Sequence, residues 1–186
     1  MMMPALPAAG MTAWLRGLRL KPGLTQDDME QLVRWKFRWR AAQMRPLDAV
    51  RGDRCRATAE VAKNAIADAR DHLDDDAGAM NAIRWSVKGF GVPMASVFLA
   101  LYFPDRFTIA DSRALETLRA RRGYPAGARG FTTDGWVRYL AECRAILTEC
   151  RASGVVPRFE GEWTLRGVDQ ALWAANGAPG PAGSIA

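Results

Sequence analysis

Two places in this chain combine residue types and spacings that chemistry can use. The first runs from Val87 to Leu115. Gly89-Phe90-Gly91 interrupts it, Val92-Pro93-Met94 follows at once, an apolar run fills 97–103, and a loop then leads through Ile109-Ala110 to Asp111. A glycine pair permits a tight turn and leaves the backbone bare, so a phosphate can approach closely. The N–H groups that open the next helix favour an anion. A plain helix-to-helix turn uses the same glycines, so the turn alone specifies no ligand. Asp111 stands eighteen positions after Pro93. Its carboxylate suits the cap of a helix opened by Ser112 or a catalytic role, and the two are compatible. Arg113, two positions on, suits a phosphate contact.

The second place is Trp35 and Trp39, interleaved with Arg34, Lys36, Arg38 and Arg40. Aromatic rings among cations can stack on a base and hold phosphates. An amphipathic helix with two core tryptophans gives the same pattern. Trp85, three residues before Lys88, belongs either with these two or in the core, and Trp136, Trp163 and Trp173 are assigned to the core. His72 is the only histidine and sits between acids, which argues against a histidine-based metal site or triad. Cys55, Cys143 and Cys150 are odd in number, which fits free thiols in a reducing compartment better than a disulfide framework. No metal site is expected.

The elements that must position these residues read as helices throughout. Thr25 and Asp28 form a capping pattern ahead of Met29, Leu32, Val33 and Phe37. A second helix is predicted over 47–73, with a break near Gly52 and a stripe of Ala57, Val61, Ala65 and Ala69. A third spans 77–87. A fourth starts near Pro93, a residue suited to a first turn, and ends near Tyr102. Asp111 or Ser112 caps a fifth that stops before Gly123. Thr133 and Asp134 open a sixth, closed by Gly154, and Thr164 caps a last one. No alternating strand pattern and no internal repeat is present. The expected fold is all-α, one compact helical domain over 23–176, between an irregular segment 1–22 with an amphipathic piece near Trp14–Leu20 and a Gly/Pro/Ala tail 177–186.

The 186 residues carry a net charge of +6 with a pI of about 9.7, a balance that permits a nucleic-acid or anionic-membrane partner. Acid is concentrated in Asp68, Asp71, Asp74, Asp75 and Asp76, and base in Arg119, Arg121, Arg122 and Arg129. A basic run of this kind is ordinarily a solvated face. No segment reaches the ~18–20 apolar residues of a membrane span, and the Met-rich start lacks the pattern of a signal peptide. The expectation is a cytoplasmic monomer with no membrane partner.

Taken together, the turn, the apolar helix and the Ile109-Ala110-Asp111 loop resemble the helix-hairpin-helix motif of the DNA glycosylase superfamily. Gly89, Phe90 and Gly91 match its Gly-Val-Gly, Ala95 matches its alanine, and Asp111 matches its catalytic aspartate. The chain also resembles small stand-alone bacterial proteins with an 8-oxoguanine-glycosylase fold, whose Gly-Val-x-x-Pro-x-Ala-Ser and Phe-Pro-Asp-Arg-Phe stretches look similar to residues 89–96 and 103–107 here; Trp35-Lys36-Phe37 is a softer match. The resemblance implies double-stranded DNA containing a modified base as partner. It implies DNA contacts at Gly89, Phe90, Gly91, Val92, Met94 and Arg113, and a base pocket near Trp35, Lys36, Trp39 and Trp85. The hairpin lysine that forms a Schiff base in bifunctional members is Pro93 here, so a monofunctional enzyme without lyase activity is expected. No cysteine follows Cys150, which speaks against the iron–sulfur cluster of some members. No cofactor is expected, although the motif leaves room for a structural monovalent cation at the hairpin.

Breaking an N-glycosidic bond requires a base outside the stack and stabilisation of positive charge at C1′ and the ring oxygen. A carboxylate near the sugar does this best where water is excluded, and Asp111 would supply it. The implied product is an abasic site, in base-excision repair or in defence against phage DNA with hypermodified bases such as glucosylated hydroxymethylcytosine. The alternative is a non-catalytic helix-hairpin-helix DNA-binding module, and a third reading is a helical protein-interaction domain.

Overall fold

The computed structural model describes residues 14–15, 17–19, 21, 24–37, 54–87, 89–125, 131–157 and 162–176. Seven helices are delimited among them, and no strand: α1 (Gln26–Phe37), α2 (Arg54–Asp71), α3 (Asp76–Ser86), α4 (Val92–Tyr102), α5 (Ser112–Arg122), α6 (Thr133–Ala152) and α7 (Leu165–Ala174). The all-α expectation holds. Trp39, Gly52, Arg129, the tail 177–186 and the first part of the long helix expected over 47–73 lie outside the described residues. In the N-terminal segment Trp14, Leu15 and residues 17–19 are helical, and Leu18 is buried in the core with Trp14 and Leu15 packed against it.

Local chemistry accounts for the helix starts. The Thr25 hydroxyl accepts the Asp28 N–H at 3.3 Å, and the Asp28 carboxylate accepts the Thr25 N–H at 2.8 Å, the reciprocal pair of a capping box. Lys21 adds an ion pair to Asp28 at 2.6 Å. Asp75 caps α3, Asp111 caps α5 and Thr164 caps α7. The cap of α6 is Thr132, one residue earlier than the sequence suggested: its side chain accepts the Gly135 N–H, and Thr133 turns instead to Asn81 and Arg84 of α3. Gly123 and Gly154 close α5 and α6 with positive φ.

α4 is the centre of the molecule. Its residues 92 and 94–101 are buried, which explains an apolar run with no polar face. α3 packs on α2, α4 and α6; α1 packs on α2 and α4; α7 lies on α5 and α6. The small residues Ala62, Ala65 and Ala69 form the buried face of α2. Trp136 is fully buried and stacks on Phe107 at 5.8 Å. Trp163 is partly buried against the core. Trp173 departs from expectation: it is 41% exposed, and the Arg113 guanidinium lies over its ring at 5.1 Å. A cation over the outer face of a tryptophan is favourable at a partly wet position, which is why the ring need not be buried.

The basic run on α5 is partly neutralised within the fold. Arg122 makes a two-pronged ion pair with Glu149 at 2.7 and 2.8 Å, and Arg121 donates to the Ala175 carbonyl. No helix of the described residues is long and apolar enough to cross a membrane.

Candidate functional site

The Gly-x-Gly turn joins α3 to α4. Gly89 has φ +88°, a conformation that a side chain disfavours, so glycine is required there. Gly91 has an ordinary φ of −84°, and a Cβ placed on it meets nothing nearer than 3.7 Å. Packing within the chain does not require the second glycine, which is exposed and serves as the N-cap of α4, a position that glycine favours over alanine. The side chains of Phe90, Val92 and Met94 are all buried, Phe90 against Phe98 at 5.3 Å. Any contact these three make with DNA must come from the backbone. In the first turn of α4 Pro93 has no N–H, and the Met94 and Ala95 N–H groups both point to the Gly91 carbonyl at 3.0 Å, which leaves Val92 as the remaining N–H of that turn.

Asp111 is reached from α4 through the loop 103–111, and the loop is held at several points. Phe107 is buried between Phe103 and Trp136. The Thr108 hydroxyl donates to the Leu165 carbonyl at 3.3 Å, and the Trp136 indole N–H donates to the Thr108 carbonyl at 3.4 Å. Arg144, paired with Asp76 at 2.6 Å, donates to the Arg106 carbonyl. The closest tie is Ser96. Its fully buried hydroxyl donates to the Pro93 carbonyl at 2.9 Å and accepts the Ala110 N–H at 2.8 Å. One side chain thus couples the first turn of α4 to the residue before Asp111.

Both oxygens of the Asp111 carboxylate have partners. Oδ1 accepts the Arg113 N–H at 2.9 Å, the cap of α5. Oδ2 receives the Lys36 ammonium at 3.3 Å, and the same nitrogen donates to the Ala110 carbonyl at 2.7 Å. The Lys36 side chain is only 8% exposed, whereas that of Asp111 is 28% exposed. Burial pushes the Lys36 ammonium down to about 8, against the attraction of Asp111 and assisted by repulsion from Arg166.

Arg166 of α7 completes the group. It pairs with the buried Asp169, and its guanidinium lies 5.7 Å from the centre of the Trp35 ring. Tyr139 of α6 is fully buried, and its hydroxyl makes no hydrogen bond of ordinary geometry. Burial holds this phenol well above its usual range, and the Cys143 thiol one turn on adds to the effect. Cys143 is itself buried and pushed up to about 12 by burial, an inert thiol, while Cys150 is only partly buried. Among the described residues no group of three or more His, Cys, Asp or Glu side chains can hold a metal ion.

Of the residues singled out in the sequence, Trp35 and Lys36 thus fall into one group with Asp111 and Arg166, and Trp39 lies outside the described residues. Trp85 does not belong to that group. It is 77% exposed and lines a separate cleft of about 550 Å³ with Asp68, Asp71, His72 and Asp75. Tyr139 and Arg166 escaped the sequence reading, and Ser96 lay in the matched stretch with no role assigned to it. Ser96 had a signal in its place between Ala95 and the apolar run, but Arg166 and Tyr139 have no local motif to mark them. Compared with family models, with curated proteins and with solved structures, the chain matches none.

Proposed function

We propose that this chain is a DNA glycosylase that hydrolyses the N-glycosidic bond of a flipped, modified base and leaves an abasic site. The observation that carries the reading is the buried Ser96 hydroxyl, which couples the start of α4 to the Asp111 loop. A phosphate held on the bare backbone after Gly89 is then in fixed register with a carboxylate. As the glycosidic bond stretches, positive charge grows on C1′ and the ring oxygen, and Asp111 stabilises it and orients the attacking water. Trp35, with the Arg166 cation over its ring, precedes Lys36, the residue paired with that carboxylate, and would supply an aromatic surface for the base. Pro93 stands where bifunctional relatives of the resembled family carry a lysine, so water is the nucleophile of the excision step.

One observation favours the alternative of a non-catalytic DNA-binding module: each Asp111 oxygen already has a protein partner. The two readings separate in one assay. The purified chain is incubated with duplexes bearing oxidised, alkylated and deaminated bases, and with phage genomic DNA containing glucosylated hydroxymethylcytosine. Abasic sites are then counted with an aldehyde-reactive probe. The enzyme reading expects abasic sites on at least one substrate class. Binding without abasic sites on every class leaves the module.

A further inference from the structure

The start of α5 holds a cation where helix electrostatics favour an acid. The N-terminal end of a helix carries partial positive charge, yet the first turn of α5 has no acidic residue, and Arg113 stands there exposed. Its backbone is fully engaged: the N–H donates to Asp111, and the carbonyl accepts from Asn176 Nδ2 at 3.2 Å. Its guanidinium has no hydrogen bond or ion pair among the described residues, only the Trp173 ring at 5.1 Å. Glu116, at the helical spacing that suits an ion pair, accepts from Asn176 Nδ2 at 3.3 Å instead.

We propose that Trp173 is a positioning residue for DNA binding. Its ring holds the Arg113 guanidinium by one flat face, so that the N–H edge takes a phosphate beside the nucleotide at Asp111. The inference rests on the glycosylase reading for DNA as the ligand, and it adds α7 to the surface that binds it.

A guanidinium stacked on a ring uses its face and keeps its N–H donors in the plane, ready for a two-pronged phosphate contact. Holding it there beforehand removes part of the ordering cost of binding. The ring is itself fixed, because ties to α5 bracket it. The Thr117 hydroxyl donates to the Leu172 carbonyl at 2.8 Å, and Asn176 reaches the first turn of α5. The cation is also in register with the carboxylate, since the Arg113 N–H lies 2.9 Å from Asp111 Oδ1. A strand whose sugar meets Asp111 therefore passes a neighbouring phosphate within reach of Arg113. The exposed side chain and the helix N-terminus add their positive potentials there, with no acid in that turn to cancel them.

The test measures affinity for a duplex carrying a tetrahydrofuran abasic-site analogue, which requires no knowledge of the base excised. Fluorescence anisotropy is read for the wild type, Trp173→Leu, Trp173→Tyr, Arg113→Ala and the double variant Trp173→Leu/Arg113→Ala. Circular dichroism establishes that each is folded. Trp173→Leu is expected to weaken binding about 3–10-fold, the scale of a lost cation–aromatic contact. Trp173→Tyr keeps an aromatic face and is expected to stay within about 2-fold of the wild type. In the Arg113→Ala background the leucine change should cost nothing further, because the ring acts only through the arginine. Arg113→Lys disturbs no buried group and keeps the charge without the planar fork, and is expected to lose as much as Trp173→Leu.

The same loss with and without Arg113, a tyrosine variant as weak as the leucine one, or wild-type affinity in Arg113→Lys overturns the inference. If base release from modified DNA persists through that failure, the glycosylase reading stands. Coupling between Trp173 and Arg113 with no base release on any substrate keeps the clamp and removes the glycosylase. A wild type with no affinity for the duplex removes both.

Discussion

Lys36 is the residue at which folding and chemistry pull hardest against each other. Its pKa falls from 10.5 to about 8 on folding, because burial outweighs the attraction of Asp111. Between those two values the unfolded chain holds a proton that the folded chain has released, so stability rises with pH in that window. Below about pH 8 both states are protonated, and the cost of the buried charge is fully present. Urea unfolding of the wild type and of Lys36→Met at pH 7, 8.5 and 10 reads this directly. The wild type is expected to gain stability relative to the variant between pH 8 and 10, and parallel responses would contradict the burial of this charge. The pairing itself was not legible in the sequence: Lys36 and Asp111 are 75 positions apart, and only packing brings them together. Its tryptophan neighbours place Lys36 near a base pocket, and nothing local makes it the partner of the aspartate.

At the level of elements, the chain announces its helices through their ends. Thr25, Asp111, Gly123 and Thr164 each act where their chemistry says they should. Position and depth were harder to read, since no local rule says that Trp173 is held outside the core by Arg113. The turn before α4 and the loop before α5 are separate in sequence but act as one unit through Ser96. Ser96→Ala would leave the buried Ala110 N–H without its acceptor, and is expected to cost about 1–3 kcal/mol in urea unfolding. Amide exchange at Ala110 should quicken in step, and an unchanged rate would mean that Ser96 is not what holds the loop. Gly89→Ala forces a side chain onto a positive-φ position and is expected to cost about 1–2 kcal/mol. A Gly91→Ala change meets no such strain in the free protein. As the N-cap of α4 the position is expected to lose about 0.5–1 kcal/mol of stability, together with DNA affinity, and an unchanged affinity in the folded variant would contradict a phosphate at the turn.

For the whole molecule, net charge is a poor guide to where a partner sits. The total is +6, yet Asp68, Asp71 and Asp75 line the cleft that also holds Trp85, and that face repels a polyanion. Trp85→Ala is therefore expected to leave DNA affinity and base release as they are, and a large loss in either would return Trp85 to the site. DNA binding itself should weaken steeply with salt, by a slope of about −0.9 in log–log form for each phosphate neutralised. Arg113→Ala should lower that slope by about 1, across all sequences alike. A salt-independent interaction would point to a protein partner instead. The distribution of charge was visible in the sequence, but not that Arg122 of the basic run is tied to Glu149 and Asp76 of the acidic run to Arg144.

The central claim is that Asp111 does chemistry on DNA as well as capping α5, and Asp111→Asn separates the two. Asparagine caps a helix as well as aspartate does, so the Arg113 N–H keeps its acceptor, while the negative charge that also pairs with the buried Lys36 ammonium is lost. The measurement is single-turnover base release by wild type and variant on the best substrate of the panel, with DNA affinity and thermal stability measured on the same samples. The account predicts a folded variant that binds DNA and whose base release falls by about 10²–10³ or more, the scale on which a preorganised electrostatic group acts. A folded variant that releases the base at the wild-type rate would contradict it.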